Sequence, residues 1–170
     1  MTTAFIHGFL LAIGLIIPLG VQNFFVFSQG ATRRFARTVP IAVTAGVCDT
    51  LLILLAVSGV SVVVLNFGWM KTVLVVLGTL FLLYMGYVSW RAKPETGKDG
   101  AGFGGGTSAF RLIGYTMMIS ILNPHAILDT IGVIGTSSLR YAGYEKIAFT
   151  CACIAVSWAW FFLLAALGHL

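Results

Sequence analysis

The sequence predicts an all-α membrane protein: five transmembrane helices in an inverted 3+3 repeat whose sixth helix is missing. Three observations lead there. The 170 residues are 59% hydrophobic and only 9% charged, with a mean hydropathy of +1.01, whereas soluble domains carry about 25% charged residues. Five apolar stretches reach the roughly 20 residues that a helical bilayer span needs. Two of those stretches, 106 positions apart, hold a proline followed five residues later by a polar side chain: Pro18 with Asn23, and Pro124 with Asp129.

The elements follow in order. Span one covers 4–28 and is broken at Pro18, because proline removes a ladder donor and clashes with the preceding turn. It is too long, and too polar at Gln22 and Asn23, for a signal peptide, and it lacks a basic n-region. Ser28-Gln29-Gly30 reads as its C-terminal cap. Span two, 38–65, carries Asp49 about 12 residues from its start, near mid-depth at about 1.5 Å per residue. Span three, 69–91, is stopped by Pro94. Span four, 109–137, is broken at Pro124, with Asn123 placed as N-cap and Pro124 at the first helical position of a new half-helix. Span five is 145–168. Trp69, Trp90, Tyr84, Tyr87, His7 and His169 suit the membrane interface, whereas Trp158 and Trp160 lie deeper and suit packing. Cys48, Cys151 and Cys153 fall inside spans without metal-ligand spacing and read as small buried thiols. No cofactor and no metal site is expected.

Residues 1–91 are predicted to form the first three-helix repeat, 92–108 a flexible cytoplasmic linker, and 109–170 a second, incomplete repeat of two helices. At the ungapped offset of 106, Gly8 meets Gly114, Ile13 meets Ile119, Arg34 meets Arg140, and Ile41-Ala42-Val43-Thr44 meets Ile147-Ala148-Phe149-Thr150. An odd number of spans in the first repeat makes the second enter from the opposite side. A partner for span three would begin near 175 (69 + 106), beyond Leu170. Arg33, Arg34 and Arg37 follow span one, and Arg91, Lys93, Lys98 and Arg111 surround the linker; the other loops hold Lys71, Arg140 and Lys146. This asymmetry puts loops 29–37 and 92–108 in the cytoplasm and the N-terminus outside. The formal charge of +5 resides in these loops. No nucleic-acid partner is expected, because the basic residues are not gathered on one helix with interleaved aromatics.

Asp49 and Asp129 are the two carboxylates within spans. A charge at the bilayer centre costs about 3 kcal/mol even on insertion scales. Their functional reading is the binding of a cation: a substrate ammonium or guanidinium, Na⁺ or a proton. The plainer reading is a hydrogen bond between helices. His125 lies four residues before Asp129, on one helix face, where it serves either as a proton relay or as part of the cap at Pro124. Gln22 and Asn23 either hydrogen-bond a zwitterionic head group or tie helices together. The amides opening a half-helix at Pro124 would face an anion such as a substrate carboxylate. Two breaks at matched positions of two halves read as a transporter with its site at mid-membrane.

The segments Leu19-Gly20-Val21-Gln22-Asn23, Gln29-Gly30, Cys48-Asp49 and Leu122-Asn123-Pro124-His125-Ala126-Ile127-Leu128-Asp129-Thr130 resemble the LysE-type amino-acid exporters, in the lysine and arginine exporter branch. The likeness runs from about residue 8 to the end. It implies a multi-pass protein of the bacterial inner membrane that expels L-lysine or L-arginine, driven by the membrane potential or by H⁺ or Na⁺ antiport. It also implies a possible homodimer and a site made of Gln22, Asn23, Asp49, Asn123, His125 and Asp129, with helix breaks at Pro18 and Pro124. Members usually have proline where this chain has Val21, so span one is expected to be less broken than is typical. They also have about six hydrophobic segments. An enzyme is not expected: a protease dyad of two intramembrane aspartates would want glycine-flanked acids, and Asp49 follows Cys48 while Asp129 follows Leu128. The alternatives are an exporter of another small cation or metal, and a membrane scaffold fragment that transports nothing. The predicted orientation has a direct check. In a background without native cysteines, a cysteine placed in 92–108 should resist an impermeant thiol reagent applied to intact cells; ready labelling would reverse the orientation.

Overall fold

The computed structural model describes residues 1–18, 20–60 and 109–170, with isolated helical positions at 69, 72, 73, 76, 79, 80, 83 and 87. The predicted span 69–91 and linker 92–108 therefore lie, apart from those positions, outside the described residues. The described elements are α1 (Thr2–Ile16), α2 (Val21–Thr32), α3 (Phe35–Leu55) with a π-helical turn Ala56–Val60, α4 (Ala109–Ile121), α5 (Pro124–Asp129) with a π-helical turn Thr130–Gly135, α6 (Thr136–Ser138) and α7 (Gly143–His169). No strand occurs among the described residues.

Two helices are long and apolar enough to cross a membrane: Phe35–Gly59 with 25 residues and Gly143–His169 with 27. At about 1.5 Å per residue each exceeds the roughly 30 Å of a hydrocarbon core. The other crossings are bent pairs. Thr2–Ile16 meets Val21–Thr32 at 76°, and Phe110–Ile121 meets Ala126–Ser138 at 53°. Counting each pair as one span gives up to four candidate spans among the described residues.

Two sequence expectations change here, the bounds of the loop after span one and the burial of Cys151. Span one is bent more sharply than span four, with Val21 at the first helical position of α2. The first helical N–H has no intrahelical partner in any case, so the position works without proline. The described part of span two includes Gly59, whose φ of 107° lies in the left-handed region that only glycine enters without steric cost; its predicted residues 61–65 lie outside the described residues. The turn after span one is Arg33–Arg34, not 29–37. Helix α2 continues to Thr32 because the Gln29 carbonyl accepts the Arg33 N–H at 3.1 Å, and the Gln29 side-chain Oε1 accepts Arg33 Nε at 2.8 Å. Cys48 and Cys153 are buried as expected, but Cys151 points outward from α7.

The order of a bent pair, a short turn and a long helix occurs twice among the described residues, and the two sets pack crosswise. Helices α1 and α2 lie against α7; α4 and the second π-turn lie against α3; α3 and α7 cross each other. Helix starts Val21 and Pro124 are 103 apart, and Phe35 and Gly143 are 108 apart, on either side of the ungapped 106. Small residues permit the closest crossings. A Cβ on Gly8 would stand 2.6 Å from the Phe149 carbonyl oxygen, and one on Gly30 2.7 Å from that of Ala165. A Cβ on Gly168 would collide with the Phe27 carbonyl oxygen.

Two apolar clusters form along the bundle. Val26, Ile41, Leu112, Phe161 and Leu164 belong to one, and Ala4, Ile53, Ile134, Phe149 and Val156 to the other. At the second cluster's end the Met1 ammonium meets Glu145 at 3.2 Å, and His7 Nδ1 lies 2.8 Å from the Tyr141 hydroxyl. At the opposite end the Phe35 and His169 rings are 6.2 Å apart. Large apolar side chains such as Phe5, Leu10, Phe24, Leu51 and Leu163 face outward, as a bilayer allows and water does not.

The glycine crossings give a stability test. Gly168→Val should cost about 1–3 kcal/mol through forced backbone displacement. Gly14→Ala, where a Cβ meets nothing within 4 Å, should be neutral or stabilise by up to about 1 kcal/mol. Thermal unfolding in detergent reads both, and equal melting temperatures for the two variants would contradict the close crossing.

Candidate functional site

The site is built from the two helix breaks. Helix α1 closes with the Ile17 N–H on the Ile13 carbonyl at 3.2 Å, and Pro18 has no N–H to continue the ladder. Buried carbonyls left at such an end need a donor. Asn23 supplies it: its Nδ2 donates to the Ile16 carbonyl at 2.9 Å and lies 3.4 Å from that of Pro18. The Gly20 carbonyl then accepts the Phe24 N–H at 3.0 Å, making Gly20 the N-cap of α2, in extended conformation and with no side-chain cap bond.

At the second break the Asn123 carbonyl accepts the Ile127 N–H at 3.1 Å, and α5 begins at Pro124. Asn123 thus holds the N-cap position and Pro124 the first helical position, as the sequence predicts. The two caps face one another: a Cβ on Gly20 would stand 3.7 Å from Asn123 Nδ2.

Between the breaks lies a small, partly open cleft of about 70 Å³, below the roughly 300–1,000 Å³ typical of small-molecule sites. Gln22, Asn23, Asp49, Asn123 and Asp129 all line it, as does Pro18. Five of the six side chains anticipated as substrate-binding are therefore brought together. The sixth, His125, is described only as the second residue of α5, so its pairing with Asp129 lies outside the described residues. The cleft touches both apolar clusters through Ile16, Ile134 and Phe161.

Asp49 projects from α3 toward α7, where Ser157 Oγ donates to its Oδ2 at 2.7 Å. Ser157 lies near the middle of α7, 14 residues after Gly143 and 12 before His169. The adjacent residues repeat the crossing: Trp158 Nε1 donates to Thr50 Oγ1 at 3.0 Å, and the indole lies on Gly46, where a Cβ would come within 3.1 Å. Asp129 closes α5 and is followed by the π-turn that begins at Thr130, another cleft residue.

Gln22 is buried, and its Nε2 has no hydrogen-bond partner among the described residues. The neighbouring amides thus divide their roles: Asn23 holds the break together, and Gln22 does not. Among the described residues lining the cleft, two are acidic and none is basic. Ser157 and Thr130 were not anticipated. A hydroxyl hidden in an apolar stretch gives little signal, because it can bond its own helix's backbone without a tertiary partner.

Comparison with known proteins follows the geometry. The profile of the LysE type translocator family matches residues 13–170. A Bacillus subtilis protein named "Putative amino-acid transporter YisU" is 53% identical over 168 residues, covering 98% of this chain and 75% of its own length. The arginine exporter protein ArgO of Salmonella paratyphi A is 30% identical, covering 99% of this chain and 79% of its own length. ArgO of Pectobacterium carotovorum is also 30% identical, over 99% and 82%. No solved structure matches the chain.

The assignment of Asn23 to the break can be tested on stability alone. Asn23→Leu leaves the Ile16 carbonyl without its donor and should cost about 1–3 kcal/mol. Gln22→Leu breaks no bond in the structure and should cost less. If thermal unfolding ranks the two the other way, the division of roles is wrong.

Proposed function

Because the chain belongs to the LysE-type translocator family, we propose that this membrane protein exports basic amino acids, L-lysine or L-arginine, across the bacterial inner membrane. The observation that carries this reading is the cleft itself, which Asp49 and Asp129 both line with no described basic side chain among its walls. Carboxylates in a site walled by protein rather than water attract a cationic side chain strongly, because little solvent screens them.

The orientation proposed has the Met1 end outside and the Arg33–Arg34 turn in the cytoplasm, as the loop charges favour. Helix α3 and the segment α4–α6 both run from the Phe35 end toward the Met1 end, since Ile41 and Leu112 share one cluster while Ile53 and Ile134 share the other. We assign the crossing back between them to the predicted span three. Span three in that role gives five crossings and relates the two bent-pair sets by inversion. Moving one positive charge outward against an inside-negative potential costs about 2.3 kcal/mol per 100 mV. Coupling to H⁺ or Na⁺ entry, or a steep outward gradient of the amino acid, meets that cost.

Export from loaded proteoliposomes tests the charge reading. Asp49→Asn and Asp129→Asn preserve size and remove charge, and each should lower arginine or lysine efflux about tenfold or more at equal protein level. Unchanged efflux in both would overturn the cation site. Absence of efflux from the unmodified protein would favour a scaffold that only locks helices.

A further inference from the structure

Gln22 Nε2, Ser120 Oγ and Trp160 Nε1 are buried without a hydrogen-bond partner among the described residues, and of these three residues only Gln22 lines the cleft. Gln22 is 5% exposed. A buried donor without an acceptor is costly to keep. It sits in the first turn of α2, a 12-residue helix whose N-cap, Gly20, offers no side chain to its leading N–H groups. The first turn of a helix carries free N–H donors and about half a unit of positive charge. Gly20, Gln22 and Asn23 all line the cleft, and the Asn123 Nδ2 amide stands 3.7 Å from where a Cβ on Gly20 would be. The amide next door cannot serve in the same way, because Asn23 Nδ2 is taken by the Ile16 carbonyl.

We propose that the first turn of α2, with Gln22 Nε2 as its side-chain donor, binds the α-carboxylate of the transported amino acid. This rests on the amino-acid reading above and adds a second pole to the same site. The cleft then has an anion-binding end at Gln22 and Gly20, and a cation-binding part at Asp49 and Asp129. A basic amino acid carries both kinds of charge. Its decarboxylated amine keeps the cationic groups and lacks the anion. The site should therefore discriminate for the carboxylate and not merely for positive charge.

The probes are L-arginine and agmatine, which differ by the carboxylate alone. In proteoliposomes of the full chain, radiolabelled arginine efflux is driven by external counter-substrate, and each compound is titrated as competitor. Arginine should compete at least about tenfold better than agmatine, the worth of a hydrogen bond to a charged group. Gln22→Glu, which turns a donor into an anion, should raise the arginine competition constant about tenfold and leave that of agmatine unchanged or lower. Gln22→Met, which keeps the length and loses the donor, should bring the two compounds together. Equal competition by arginine and agmatine in the unmodified protein overturns the carboxylate anchor whatever the variants do, and leaves cation export standing. Discrimination that survives both substitutions unchanged also overturns it. No arginine efflux at all would count against the underlying reading of the cargo instead. Agmatine competition kept by a variant shows that its fold is intact. If Gln22→Glu and Gln22→Met both lost it, Gln22 would be a structural residue and the assignment would fail.

Discussion

A backbone that breaks inside an apolar bundle must satisfy its own loose ends, and the rest of this structure depends on that constraint. Each break strands carbonyls behind it and N–H groups ahead of it, and lipid offers no water to pair them. At the first break Asn23 reaches back to Ile16 and Pro18. At the second, proline at the head of α5 removes one stranded donor at source. The first solution requires a polar residue at the centre of the bundle, and polar side chains line the cleft there while phenylalanine and leucine face out.

The apolar clusters show how such a centre is tolerated. One lies toward the Phe35 end and one toward the Met1 end, and the cleft touches both. The long helices cross where Asp49 accepts from Ser157 and Trp158 donates to Thr50. Two consecutive hydrogen-bonded pairs fix the register of that crossing more tightly than apolar packing would. They also hold one carboxylate oxygen of Asp49 in a set direction, and preorganisation of this kind reduces what a site must reorganise when it binds.

Much of this was legible because burying the wrong group in lipid is expensive. Asp49, Asp129, Gln22, Asn23 and Asn123 stand out in an apolar sequence for that reason, and the structure gathers them around one cleft. The N-cap at Asn123 was legible because proline at the next position allows little else. Ser157 was not, since a hydroxyl within a helix costs little and announces nothing. Nor was the unequal division between Gln22 and Asn23, two adjacent amides whose roles are set by where α1 ends. The bend at the first break comes from the extended Gly20 and the missing N–H of Pro18, with no proline needed at Val21. The offset between helix starts grows from 103 to 108 because the second half carries a π-turn and a longer connection between them.

The crosswise packing has a consequence for how the chain is made. Gly8 on α1 rests against Phe149, and α2 closes on Gly30 against Gly168. Helices α1 and α2 thus find their main partner in a helix synthesised 141 residues later (149 − 8). At about 5–20 residues per second, translation alone imposes a delay of roughly 7–28 s. Through that interval Gln22 and Asn23 are in the membrane without the helix that encloses them. Biogenesis therefore needs something to shelter α1 and α2, whether the insertion machinery or the lipid interface, until α7 arrives.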